Sequence, residues 1–218
     1  MKTNLQKCRA RWTDRRNVAA VVAAFALTVL IADFAWGQSG CKSFKIESNP
    51  RELDDQFGFS VAIDGDLAVV GAPFALFSEY GLVIPFHRND GGTPGDLLDD
   101  TWTQGTSIFP NFPKNYTPFH FGASVAVSGD FIAVADPLAT DFTKTVFFNG
   151  AVQVFERFGA IWLPTALIQG PGGDDADSDE LTGTTVAMDG DLLVIGAPNN
   201  RDAGPASGAA YVFERVVN

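Results

Sequence analysis

The sequence predicts an all-β fold of three repeated small sheets, each of about four antiparallel strands. Three observations predict it. A 17-residue stretch, Phe57–Pro73, is written again at Phe121–Pro137 and Thr182–Pro198, with 11 identities between the first and third copies and 9 between the first and second. Each copy sets Asp-Gly or Ser-Gly between two runs rich in β-branched residues, which is a hairpin signal. A further apolar segment follows each hairpin and ends in Arg: Gly81–Arg88, Gly150–Arg157 and Gly208–Arg215.

Within each hairpin, Asp64-Gly65 and Asp189-Gly190 are predicted as the central pair of a type I′ turn, with Ser128-Gly129 as their counterpart. That register sets Ile63 opposite Asp66 and Ala62 opposite Leu67. Val61, Ile63, Ala68 and Val70 then line one face, and Ala62, Leu67 and Val69 line the other. Both faces are apolar, so both are expected to be covered by neighbouring sheets. The Gly-Ala-Pro of Gly71–Pro73 ends the second strand, because proline has no N–H for the ladder.

The segments after the hairpins are predicted as third strands, the first of them weakened or exposed by Pro85. A fourth strand is expected at Trp162–Ile168 and near Trp102. Four antiparallel strands per unit is the pattern of propeller blades, and three units make the expected architecture an incomplete or open propeller.

The repeated Phe-Gly-x-Ser-Val-Ala, Gly-Ala-Pro and Gly-Ala-x-x-Val-Phe-x-Arg resemble the FG-GAP repeat of bacterial surface and secreted proteins, related to the blades of the integrin α-chain propeller. The resemblance spans about Phe44 to Arg215. It departs from the pattern at Thr182, where the family has Phe, and at Ala135-Asp136, which replace Gly-Ala. It implies a binding or adhesion role at the cell envelope or outside the cell. Such propellers also accompany hydrolases and lyases, so the alternatives are the propeller part of a secreted enzyme or a shortened fragment of a longer repeat protein.

From the N-terminus, residues 1–37 read as a signal peptide. Lys2, Lys7, Arg9, Arg11, Arg15 and Arg16 form a basic region, Val18–Ala32 is an uncharged apolar run of 15 residues, and Ala35-Trp36-Gly37 supplies small residues for cleavage. The run is shorter than the roughly 20 residues of a spanning helix, so no stable membrane span is expected after cleavage. With six basic and two acidic residues in that segment, the formal charge falls from −11 for the chain to −15 for residues 38–218. An acidic domain of this kind excludes nucleic acid as the expected partner. Cys41 alone forms no intrachain disulfide, and Gln38 argues against a lipid anchor on it.

Residues 38–218 are expected as one repeat domain, with repeats at about 55–118, 119–178 and 179–218. Residues 44–48 resemble an outer strand placed before the first repeat, a candidate closing strand. Propellers have about four to eight blades. Three repeats therefore leave an open stack, a ring completed by a second copy, or a shortened relative of a longer protein. The long insertion Asn89–Pro118 carries Phe109, Phe112 and Tyr116, with Phe119 just beyond it. These aromatics are expected either to pin the loop to its own surface or to form a binding lip.

Candidate chemistry is sparse. Asp175, Asp177 and Asp179 alternate as calcium ligands do, yet Glu180 stands where an EF-hand loop has Gly, so a solvated acidic loop is the plainer reading and no cofactor is expected unless calcium binds there. Asp64, Asp66, Asp130, Asp189 and Asp191 read as turn residues, since the short hairpin loop offers too few oxygens for a cation that takes about six to eight. His87 and His120 lie in no nucleophile motif, and Ser60 and Ser124 lack a Gly-x-Ser-x-Gly context. No catalytic residues are assigned. The expectation is an exported, non-catalytic module that binds a protein or glycan ligand, with self-association to complete a ring as a further expectation.

Overall fold

In the computed structural model, residues 43–49, 54–76, 79–92, 99–114, 116–141, 150–169, 185–201, 203–205 and 207–216 are described. The first sheet is a four-stranded antiparallel meander of β1 (Ser60–Asp64), β2 (Leu67–Ala72), β3 (Leu82–Asn89) and β4 (Thr101–Gln104). A two-residue β5 (Tyr116–Thr117) follows. The second sheet contains β6 (Ser124–Ser128), β7 (Phe131–Asp136), β9 (Ala151–Phe158) and β10 (Ile161–Gln169), and β8 (Thr140–Asp141) pairs with β5 beside it. The third has β11 (Thr185–Asp189), β12 (Leu192–Ala197) and β13 (Ala209–Glu214). Among the described residues it has no fourth strand, whereas β4 and β10 fill that place near Trp102 and Trp162 in the first two sheets.

The hairpins correct the expected turn. Asp64 pairs with Leu67, Ser128 with Phe131 and Asp189 with Leu192, so the central residues are Gly65-Asp66, Gly129-Asp130 and Gly190-Asp191. Only the glycine has positive φ, at 56°, 55° and 56°, which is the form with Gly first rather than type I′. The register lies two residues from the expected one. Because side chains alternate with a period of two, the shift leaves every residue on the face already assigned to it.

Pro85 is also corrected: it is buried inside the central strand β3. Its carbonyl points to the β4 side and accepts the Gly105 amide at 2.8 Å, so the missing N–H falls at the end of β4 and the β2–β3 register runs on unbroken. In β10 Pro164 sits at a bulge on an outer strand, where Thr165 is the extra residue.

The three sheets stack face to face with their first strands innermost, β6 lying between β1 and β11. Ala62, Leu67, Val69 and Val83 of the first sheet bury against Val125, Val127, Ile132 and Val134 of the second. The opposite face of the second sheet, with Ala126 and Ala133, buries against Val186, Met188, Leu193 and Ile195 of the third. Phe57 meets Phe86 edge-on at 5.9 Å, and Phe121 meets Phe155 in the same way at 6.0 Å, so the Phe of the hairpin motif locks onto the Phe of the third strand in both sheets.

The expectation that every hairpin is covered on both sides holds for the second sheet only. Val61 and Ile63 of the first sheet are 69% and 66% exposed, and Leu192, Val194 and Val212 of the third are 47%, 38% and 67% exposed. Residues 44–48 form no strand: Ile46 packs on the first sheet beside Phe57 and Trp102, and Asn49 exchanges two hydrogen bonds with the Gln104 side chain. The insertion is pinned down, as one of its two readings expected. Asn111 exchanges backbone bonds with the buried Gln153 amide, and Phe112 stacks on Tyr116 at 5.6 Å.

Candidate functional site

The turn at the foot of each blade is held by a clasp that repeats three times. The Arg that ends each third strand donates Nε to the second turn residue: Arg88 to Asp66 at 2.6 Å, Arg157 to Asp130 at 2.8 Å and Arg215 to Asp191 at 2.8 Å. Its own amide donates to the same aspartate's carbonyl at 2.8–2.9 Å. The aspartates read only as turn formers in the sequence thus divide into two sets. Asp66, Asp130 and Asp191 are clasped. Asp64 instead reaches forward, its Oδ2 accepting the Gly129 amide of the next sheet at 2.7 Å, and Ser128 at the same repeat position accepts the Gly190 amide at 3.0 Å. The signal for the clasp lay in the sequence, as an Arg and an Asp recurring in register in all three copies.

A groove of about 360 Å³ lies between the second and third sheets. Phe131, Val154, Ile168, Met188 and Phe213 make its apolar lining, and Glu156 and Arg215 stand among the charged groups around it. The Arg215 guanidinium lies 4.2 Å from the centre of the Phe131 ring while clasped to Asp191, which fixes one wall. The groove has a counterpart that is filled. Between the first and second sheets, Trp162 of the fourth strand β10 packs against the shared core. Among the described residues no strand follows β13 in the third sheet, so the corresponding space against its core is open and the outer edge of β13 is paired with none of them.

Two carboxyls are buried near the blade tops. Asp136 is fully buried, and its oxygens accept the Phe119 amide at 2.9 Å and the Leu138 amide at 3.3 Å. Loss of water raises its pKa to about 8, with the bonds from Phe119, Leu138 and Ala139 pulling the other way. Asp141 is buried beside Tyr116 across the β5–β8 pair, and burial, then the bond to Asp141, push the Tyr116 hydroxyl well above the usual tyrosine range. These groups tie the insertion to the second sheet.

His120 packs on Phe74 with ring centres 4.4 Å apart and lies 3.3 Å from a Glu79 carboxylate oxygen. Desolvation and then Arg157 lower the pKa of His87. Asp175, Asp177 and Asp179 lie outside the described residues, as does the 1–37 segment with Cys41. Among the described residues, no group of three or more His, Cys, Asp or Glu side chains converges as a metal site.

A family model described as FG-GAP repeat matches residues 45–81 and 173–213. The chain carries FG-GAP repeats. The second sheet lies between the two matched regions and shares their hairpin register and Arg–Asp clasp, and the Phe–Phe contact of the first sheet. Its departure from the pattern is concentrated at Asp136, which stands where the flanking FG-GAP repeats have Ala72 and Ala197. No curated protein matches the chain.

Proposed function

We propose that this chain is an exported, non-catalytic FG-GAP module that binds a protein partner as an extended strand along β13, at the cell envelope or outside the cell. The observation that carries the reading is the apolar groove beside a strand edge that no described strand pairs with, at the place where the first two sheets have a fourth strand. Main-chain bonds to β13 would supply affinity for any extended segment. A large apolar or aromatic side chain seated beside Phe131 and Phe213 would supply selectivity. The basic and apolar N-terminal segment supports export.

A synthetic peptide copying β10, residues 160–170, tests the site, because it carries a fourth strand with its Trp. Titration calorimetry should give saturable binding, lost when the peptide's Trp is replaced by Ala or when Phe213→Asp is made in the protein. Absence of saturation up to about 1 mM peptide would sink the proposal.

A further inference from the structure

The two uncovered sheet faces are not unrelated patches. Inside the chain one kind of contact is made twice: the Ala62/Leu67/Val69 face of the first sheet covers the Val125/Val127 face of the second, and the second repeats it on the third. By position in the repeat, Ala187, Leu192 and Val194 are the third sheet's version of the covering face. Val61 and Ile63 are the first sheet's version of the covered one.

Exposure shows what each lacks. Leu67 and Val69 are 5% and 0% exposed where their counterparts Leu192 and Val194 are 47% and 38%; Val125 and Val127 are 6% and 7% where Val61 and Ile63 are 69% and 66%. The polar bond across the contact has its halves at the two ends as well. Asp189 occupies the place from which Asp64 and Ser128 reach the next turn, and the Gly65 amide occupies the place of the Gly129 and Gly190 amides they reach. An exposed apolar face that repeats a buried one in shape and chemistry is matched to the partner its twin already has.

We infer that a second copy of this chain docks head to tail, its β1 face of Val61 and Ile63 lying on the β11–β12 face of Ala187, Leu192 and Val194. The occupant is a second copy because its first sheet carries both the apolar pattern and a turn amide, that of Gly65, at the place of those bonded inside the chain. This contact continues the two already inside the chain. Two copies joined at both ends make six blades, within the roughly four to eight over which propellers close. Closure at two copies limits the assembly, since a head-to-tail contact that did not close would grow into a filament. The contact shares Leu192 with the groove along β13, whereas the test positions Val194 and Ile63 do not line that groove.

Sedimentation velocity on the chain purified after expression from its full-length gene tests the inference. The expected result is a dimer whose mass stays fixed as concentration rises. Val194→Lys and Ile63→Asp, each on a different end face and each outside the internal contacts, should separately give monomers with unchanged circular dichroism. Mixed, they should regain the dimer mass, because one intact contact re-forms and the altered faces bear opposite charges. A monomeric parent at about 100 μM would overturn the inference. So would single variants that remain dimers, or a mixture that stays monomeric.

Discussion

At Asp136 the second repeat places a carboxyl where the other two have Ala72 and Ala197, and the Phe119 and Leu138 amides are aimed at it. Its pKa in the fold, about 8 against an ordinary 3.8, fixes the sign of a pH effect. A raised carboxyl stabilises the fold fully below about pH 4, and that contribution is lost as pH rises through about 8. Urea unfolding from pH 5 to 8.5 should therefore show falling stability, by an amount on the order of a few kcal/mol. Asp136→Ala, which restores the residue of the flanking repeats, should flatten that slope. An unchanged slope would mean the carboxyl does not titrate in this window.

The turn glycines give a second test at this scale. A Cβ on Gly129 would meet nothing within 4 Å, yet φ is +55°, so Gly129→Val should cost about 1–2 kcal/mol through backbone strain alone. Arg157→Ala, which opens one exposed clasp, should cost about 0.5–1 kcal/mol in the same measurement.

Between elements, the chains approach closely where the Gly-Ala-Pro of one blade meets the Phe-Gly of the next. A Cβ on Gly71 would collide with the Gly122 carbonyl and the Ser60 hydroxyl, which itself donates to that carbonyl at 2.7 Å. Gly71→Ala must push the first and second sheets apart and should lower the unfolding free energy by about 1–3 kcal/mol. A neutral result would show that the blades slide freely. Much at this level was legible in the sequence: the three hairpins, their faces, the third strands and the fourth strands at Trp102 and Trp162. The hairpin pattern fixes parity but not register, so the turn lies one residue, and the pairing two, from the expected place. Which way Pro85 points within its strand is likewise decided by β4, far along the chain. The groove had no local signal at all, being a space beside a sheet that has three strands among the described residues where the others have four.

Within residues 46–218 the sheets make a short one-dimensional stack whose stability rests on contacts between adjacent sheets. The second sheet is covered on both faces and the outer two on one, so amide exchange should be slowest in β7 and β9 and fastest in β11 and β13. Uniform protection across all three sheets would indicate that the stack opens only as a unit. The three larger sheets among the described residues were readable from the repeats, because each hairpin is written in full. That the end faces are bare required the fold, since Val61 and Val125 are the same residue at the same repeat position and differ only in having a neighbour.

The Asp–Arg clasp bears on how the protein meets its surroundings. Each hairpin tip keeps a counter-ion on a tether, the guanidinium already seated on Asp66, Asp130 or Asp191. A dissolved divalent ion must displace a charge whose effective concentration is set by a covalent linker rather than by the medium. The blade tips should therefore hold one shape whether the fluid around them is rich or poor in such ions.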